Sequence, residues 1–320
     1  MNTEFLKLTE KYSINVNGNL NDNDDFSIFN SQQFLNLHRN KFKNLYTFSL
    51  HEINTGKSHG VSIFNYEEEG LFISPIIGSY GGFEFHENVN FQTKESFIEK
   101  IIDYLIKKKA KAVEIILAPD IYNLTNNSQV LSILYRLGFK LNQIEINQFI
   151  ENSKYDKNIS VSYGNRKRIN KCIKEGFIFK KLIEEEYYSA YDVIRENRSR
   201  KGFPLTMEWR ELEEMVKVFQ SKVHFFGIFH SSKIISSAIC IDVLKNILYV
   251  FYWGEIGGYE KFSPTAFLSE RIINYSKSKQ YHLVDIGTST VKSDPNHGLF
   301  KFKENIGCYS CNKFKLVKKI

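Results

Sequence analysis

Phe97-Ile98-Glu99-Lys100-Ile101-Ile102-Asp103-Tyr104, followed by Val113-Glu114-Ile115, decides the fold, because the pattern occurs twice. Its second copy is Glu270-Arg271-Ile272-Ile273-Asn274-Tyr275, followed by Val284-Asp285-Ile286. A constant offset of 171 carries Glu99 onto Glu270, Lys100 onto Arg271, Tyr104 onto Tyr275 and Glu114 onto Asp285 without a gap. The flanks repeat with small shifts. Gly81-Gly82-Phe83 matches Gly257-Gly258-Tyr259, and Leu137-Gly138-Phe139 matches Ile306-Gly307-Cys308. Four matches in the same order point to an internal duplication, which must be settled before any other reading.

Each copy reads as strand, glycine-pair loop, helix, strand, helix, glycine, strand. Ile98, Ile101, Ile102, Leu105 and Ile106 recur at i, i+3, i+4, i+7 and i+8, the stripe of an amphipathic helix. Thr93 is the expected N-cap of that helix. Ser263-Pro264-Thr265 opens the equivalent helix, with proline in its first turn. The short apolar runs 113–117 and 282–286 read as strands of a mixed sheet. Gly138 and Gly307 stand where a helix ends in the left-handed region.

At 320 residues the chain is long enough for two domains. The polar, aperiodic stretch 151–158 sets the expected boundary, giving domains 1–155 and 156–320. The second domain is expected to run helix 165–175, strand 177–183, helices 187–200 and 207–220, then strands 223–229, 234–243 and 247–253. The fold class is therefore α/β, in the sense of an α+β mixed sheet, in two tandem copies.

Composition narrows the function classes. A formal net charge of +7 and a pI near 8.9 suit anionic partners. The surplus includes the runs Lys107-Lys108-Lys109 and Arg166-Lys167-Arg168. No export signal is expected in residues 1–20, which run into the polar stretch 21–25. No apolar stretch has membrane-spanning length. The cysteines are Cys172, Cys240, Cys308 and Cys311. Cys308 and Cys311 form a lone CxxC without a second pair or histidines, so they read as free structural thiols rather than a zinc site. A cytoplasmic setting and no metal are expected.

The order helix, helix, three antiparallel strands, helix, strand, helix, strand resembles the GNAT acyltransferase fold, duplicated. Further strings sharpen the likeness: 74–83 (SPIIGSYGGF), 165–171 (NRKRINK), and Asp285-Ile286-Gly287 with 296–307 (NHGLFKFKENIG). These are similar to tandem GNAT proteins of the FemABX-like group. The resemblance implies an acyl donor at the N-terminus of the helix after the fourth strand. There, unpaired backbone N–H groups favour an anion. In the second copy this places Gly257, Gly258, Lys261, Ser263 and Thr265 on the diphosphate of acyl-CoA. The usual Gln/Arg-x-x-Gly-x-Gly/Ala signature is absent, and FemABX-like proteins take an aminoacyl group from tRNA, so both donors stay open.

For proton transfer the candidates are Glu255, Asp285, His297 and Tyr309. Each has a plainer reading, as loop carboxylate, fold element, helix cap or core residue. For the acceptor the candidates are Tyr80, Gly81, Asn197, Arg198, Trp253, Lys301 and Lys303, with the lysines expected to meet a phosphate. The resemblance implies an N-acyltransferase moving an acyl group from acyl-CoA to a nucleotide-linked amino sugar, for instance a dTDP-3-amino-3,6-dideoxyhexose, for surface polysaccharide. The first domain would carry no donor site of its own. The alternatives are a peptidoglycan-bridge aminoacyltransferase using aminoacyl-tRNA and a non-catalytic binding module. Among partners, small molecules come first, and nucleic acid enters only as tRNA.

Overall fold

The computed structural model describes residues 3–20, 26–42 and 44–320. The polar run 21–25 lies outside them. The chain divides into two units, one formed by Met1–Ile146 with Cys311–Ile320, the other by Asn147–Ser310.

In the first unit the elements are β1 (Glu4–Lys7), β2 (Tyr12–Val16), α1 (Gln32–Leu37), β3 (Leu45–Glu52), β4 (Ser58–Tyr66), β5 (Leu71–Ser74), β6 (Phe83–Phe85), α2 (Phe91–Lys107), β7 (Ala112–Ile116) and α3 (Leu124–Arg136). β8 (Lys140–Glu151) then carries the chain into the second unit. There follow α4 (Lys157–Ser160), α5 (Tyr163–Lys174), β9 (Ile178–Lys181), α6 (Glu184–Arg200), α7 (Trp209–Val218), β10 (Val223–His230), β11 (Lys233–Leu244), β12 (Ile247–Glu255), α8 (Pro264–Ser278), β13 (Leu283–Thr288), β14 (Thr290–Val291), β15 (Asp294–Pro295), α9 (His297–Asn305) and β16 (Tyr309–Lys319).

The stripe that predicted α2 is buried except at its end, where Ile106 is 37% exposed. Phe97, Ile98, Ile101, Ile102 and Leu105 join Phe48, Phe64, Phe72, Val113 and Ile115 in one core. The N-cap is not Thr93 but Asn90, three residues earlier, whose Oδ1 accepts from the Thr93 N–H at 2.8 Å. Thr93 is itself inside the first turn, so its side chain does not cap.

The first unit's strands run β1-β2-β3-β4-β5-β7, antiparallel except for the parallel pair β5/β7. Residues 315–319 of β16 lie antiparallel beside β7, Lys315 opposite Ile116. The second unit's strands run β9-β10-β11-β12-β13, with the parallel pair β12/β13. Residues 147–151 of β8 lie antiparallel beside β13. Each unit therefore completes its sheet with the strand that follows the other copy's last helix. Neighbouring serines show which helix covers which face of the second sheet. Ser237 donates to the Ala190 carbonyl of α6 at 2.6 Å. Ser236, one residue earlier, lies 3.5 Å from the Thr265 hydroxyl of α8. Adjacent strand residues point to opposite faces, so α6 and α8 do too.

The repeat places α8 on α2, β13 on β7, α9 on α3 and β16 on β8. Gly138 and Gly307 both lie in the left-handed region, at φ 87° and 97°, as read from the sequence. The glycine pairs are a different matter. Gly82 leads into β6, whereas Gly257 and Gly258 form an exposed turn after β12. Their likeness is one of sequence and of φ (83° and 88°), not of place in the sheet.

Candidate functional site

Two parallel strands in the second unit part company. β12 pairs with β13 only over Ile247–Tyr249 against Leu283–Asp285. β12 then continues to Glu255, still paired with β11, while β13 turns at Gly287 (φ 78°). β12 beyond Tyr249 is left without a β13 partner, which opens a gap between the two strands. The indole of Trp253 meets the Phe302 ring of α9 edge-on at 5.6 Å.

In the first unit the equivalent place is closed by that unit's own chain. There β5 ends at Ser74, the chain leaves the sheet through residues 75–82, and it returns as β6 on β4. On the way the Gly81 N–H donates to the Ile116 carbonyl of β7 at 2.8 Å. Gly82 is pinned through its N–H to Ser74 Oγ and through its carbonyl to Ser62 Oγ. A Cβ on Gly82 would come within 2.9 Å of Ile115, and one on Gly81 within 2.5 Å of Ser74 Oγ. These glycines are a plug made of backbone. Tyr80 is buried in the same unit against the edges of Phe29 and Tyr122. Neither Tyr80 nor Gly81 presents a surface to a substrate, which corrects the acceptor role expected for them.

The N-terminus of α8 has an anion already. Glu255 Oε2 accepts from the Thr265 N–H at 3.0 Å and from the Thr265 hydroxyl at 2.7 Å. Ser263, at φ 53°, makes no side-chain cap. Glu260 accepts from the Gly258 N–H at 3.1 Å and from Arg200 at 3.1 Å. A bond from its own backbone N–H, then that from Gly258 and the charge of Arg200, hold the Glu260 carboxyl below the usual carboxylate range. Arg200 and Asn197 also donate to the Glu255 carbonyl, at 2.9 and 2.7 Å. Asn197 is buried, and its Cβ would lie 2.8 Å from a Cβ on Gly254, so it supports the end of β12 rather than contacting an acceptor. Lys261 and Lys171 both lie over the Phe262 ring, at 4.9 and 4.8 Å. The five residues expected on a diphosphate thus share one loop, but two of its N–H groups answer to carboxylates of the chain itself.

On the other side of the gap, Asp285 is buried and accepts from the Asn147 amide and the Gly287 N–H, both at 2.7 Å. It holds the turn that bends β13 away. Lys303 is 2 % exposed. Its ammonium donates to the carbonyls of Gly287 (2.8 Å) and Thr288 (2.9 Å). Burial pulls its pKa down to about 8, against the opposing pull of the nearby Cys308 and Asp285. Burial pushes the Cys308 thiol up to about 12, which keeps it protonated and inert. The phosphate-pairing role expected for Lys303 is corrected by this burial. Lys301, two residues earlier on the helix, is exposed.

The remaining candidates scatter. His297 is exposed at the first position of α9, and Asn296, not His297, caps the helix by accepting from the Leu299 N–H at 3.0 Å. Tyr309 is half exposed, with its ring 6.1 Å from Phe149. Arg198 lies 4.7 Å over the Tyr252 ring and donates to the Pro204 carbonyl at 2.9 Å. Tyr252 is buried, with its hydroxyl bonded to Thr206. Sequence reasoning missed Asn147 and Phe302. Asn147 is 138 residues from its carboxylate partner and carried no signal. Phe302 carried one, as the aromatic between the two lysines. Among the described residues no group of three or more metal-ligating side chains forms. No helix among them is long and apolar enough to cross a membrane.

No protein-family model matches the sequence, and no curated protein does. Solved structures do match. FemX superposes with a TM-score of 0.71 at 14% identity, covering 92% of each chain. L-PGS from Bacillus licheniformis gives 0.58 at 12%, covering 82% of each chain. A domain assigned to a lysylphosphatidylglycerol synthetase from Agrobacterium fabrum gives 0.57 at 10%, again covering 82% of each. At these identities the likeness is one of fold: the chain has a tandem GNAT-like fold of the FemX type.

Proposed function

We propose that the chain is an acyltransferase that forms an amide on an acceptor amine, with the acyl group held in the gap between β12 and β13. The observation that carries this reading is the asymmetry of the two copies. The parallel strands diverge and leave a gap in the second unit, whereas Gly81 bonds across the equivalent place in the first. The acceptor nitrogen would attack the acyl carbonyl, lose a proton, and expel the carrier's oxygen or sulfur, which takes one up. An ammonium has three donors. Lys303 spends two on Gly287 and Thr288. The third is left to supply positive charge to the oxyanion that forms.

Glu255 inclines the donor towards an aminoacyl ester. A carboxylate at the α8 N-terminus repels the diphosphate that acyl-CoA would bring there. The lysylphosphatidylglycerol synthetase domain from Agrobacterium fabrum, whose name denotes attachment of an aminoacyl group, shares the fold. Transfer from acyl-CoA to a nucleotide-linked amino sugar is the second reading. Gly258 favours it, because a Cβ there would meet nothing within 4 Å, so a diphosphate has room to approach. It requires Glu255 to release Thr265.

The test is to supply aminoacyl-RNA minihelices and acyl-CoAs in parallel with a panel of amine acceptors, following loss of the ester or release of thiol. Ester consumption dependent on acceptor supports the first reading. Thiol release alone selects the second, and neither with any acceptor overturns both.

A further inference from the structure

We propose that the outer face of α4 and α5 docks the protein on an anionic lipid surface. The charge of this chain is not spread evenly. Residues 157–181 hold eight lysines and arginines against one glutamate, a local +7 that equals the formal net charge of all 320 residues. α5 carries five of those cations and no acid. Its buried side is Asn165, Ile169 and Cys172. The opposite side shows Tyr163, Lys167, Lys171 and Lys174, all exposed, at a spacing that lines them along one stripe. Lys261 adds to the stripe, since its ammonium and that of Lys171 both lie over the Phe262 ring.

Charge alone would suit any polyanion. Exposed carbon decides between them. Ile159, on the turn that enters α5, is 84% exposed, and Tyr163 beside it is 65% exposed. This turn is held out rather than left loose. Arg166 donates to the Asn158 carbonyl at 2.7 Å and to the Val161 carbonyl, and Asp156 caps α4 by accepting from the Asn158 N–H at 2.8 Å. Lys167 lies 4.5 Å over the Tyr163 ring. An aliphatic tip, an aromatic ring at its base and a row of lysines behind match the strata of a bilayer surface: hydrocarbon, interface and charged headgroup. A nucleic-acid backbone would take the lysines and the tyrosine but would leave Ile159 in water. The nearby acids do not weaken the stripe: Glu270 is occupied by Lys157 and Arg271, and Glu175 lies beyond the last turn.

The experiment is co-sedimentation of the full chain with phosphatidylcholine vesicles, with and without 30 mol% phosphatidylglycerol, and in parallel a binding titration with tRNA-sized RNA. Partition to the anionic vesicles only, and its loss in high salt, is expected. Each lysine near such a surface contributes roughly fivefold. Lys167→Glu/Lys171→Glu/Lys174→Glu should therefore lower partition by about 100-fold or more. Ile159→Ser, which leaves the charge alone, should lower it at unchanged salt dependence. All four side chains are exposed, so the thermal midpoint should hold and serves as the folding control. No partition of the wild type, or partition indifferent to the triple change, overturns the proposal. RNA binding lost in the triple variant, without vesicle binding, overturns it too and gives the face to RNA.

Discussion

Glu255 and Thr265, at the two ends of the loop between β12 and α8, close the N-terminus of that helix, with one carboxylate oxygen accepting from both the Thr265 N–H and its hydroxyl. The equivalent helix in the first unit is closed by its own Asn90, and Lys94 stands where Thr265 does, its ammonium 2.9 Å from Gln129 Oε1.

Removing this carboxylate should free the helix end. Glu255→Ala is expected to cost about 1 kcal/mol of stability as a lost cap. It should also raise affinity for CoA or inorganic pyrophosphate by roughly tenfold, since an anion at a helix N-terminus gains on the order of 1 kcal/mol or more. Calorimetric titration of both proteins checks this. Tight CoA binding by the wild type, unchanged in the variant, would show that the carboxylate does not compete.

Lys303 gives the protein an alkaline signature. Its folded pKa, about 8, lies below the ordinary 10.5, so the unfolded chain holds the proton more firmly. The resulting cost is full below pH 8 and is relieved as pH rises towards 10.5, by about 3 kcal/mol. Denaturant unfolding at pH 7 and pH 10 should show this gain in the wild type but not in Lys303→Met. Parallel curves would refute it. If the ammonium stabilises the oxyanion, kcat should fall above about pH 8.

Asp285 is the support of the β13 turn. Asp285→Ala orphans the buried Asn147 amide, at about 1–3 kcal/mol, and the part-buried Gly287 N–H at less. Asp285→Asn keeps an acceptor and should cost less than half as much. Chemical denaturation ranks the two, and equal losses would mean that the negative charge, not the acceptor, is what matters.

The paired glycines offer an internal control. Gly138 and Gly307 share a left-handed conformation, but a Cβ on Gly138 meets nothing within 4 Å, whereas one on Gly307 falls 2.7 Å from Ser160 Cβ and 3.1 Å from its carbonyl oxygen. Gly138→Ala should cost only the backbone strain, about 1–2 kcal/mol. Gly307→Ala should cost at least 1 kcal/mol more, because backbone must move. Thermal unfolding of the two variants measures the difference.

The helices and strands were legible because their causes are local. The isoleucine stripe of α2 and the turn residues between β10, β11 and β12 act within a few positions of themselves. The site was less so. Lys301 and Lys303 look alike in sequence, yet two residues is about 200° around a helix, so one is exposed and the other buried. Glu255 reads as a loop carboxylate until the loop folds back and sets Thr265 beside it. Gly81-Gly82 and Gly257-Gly258 read as equals, and only the break between β5 and β6 shows that one pair fills a space and the other lines an open turn. Such facts depend on which distant strand lies next door, and no window of sequence contains that.

The last strand carries a further consequence, for how the chain is made. β7 waits for residues 315–319, some 200 positions downstream, before its outer edge is covered. On the ribosome the first unit therefore cannot finish before the second has been synthesised, and its exposed strand edge persists through most of translation. A gene cut between the two copies would yield neither half intact. The duplication that began as two equal pieces has become a single obligatory folding event, slow because its closing contact is so remote.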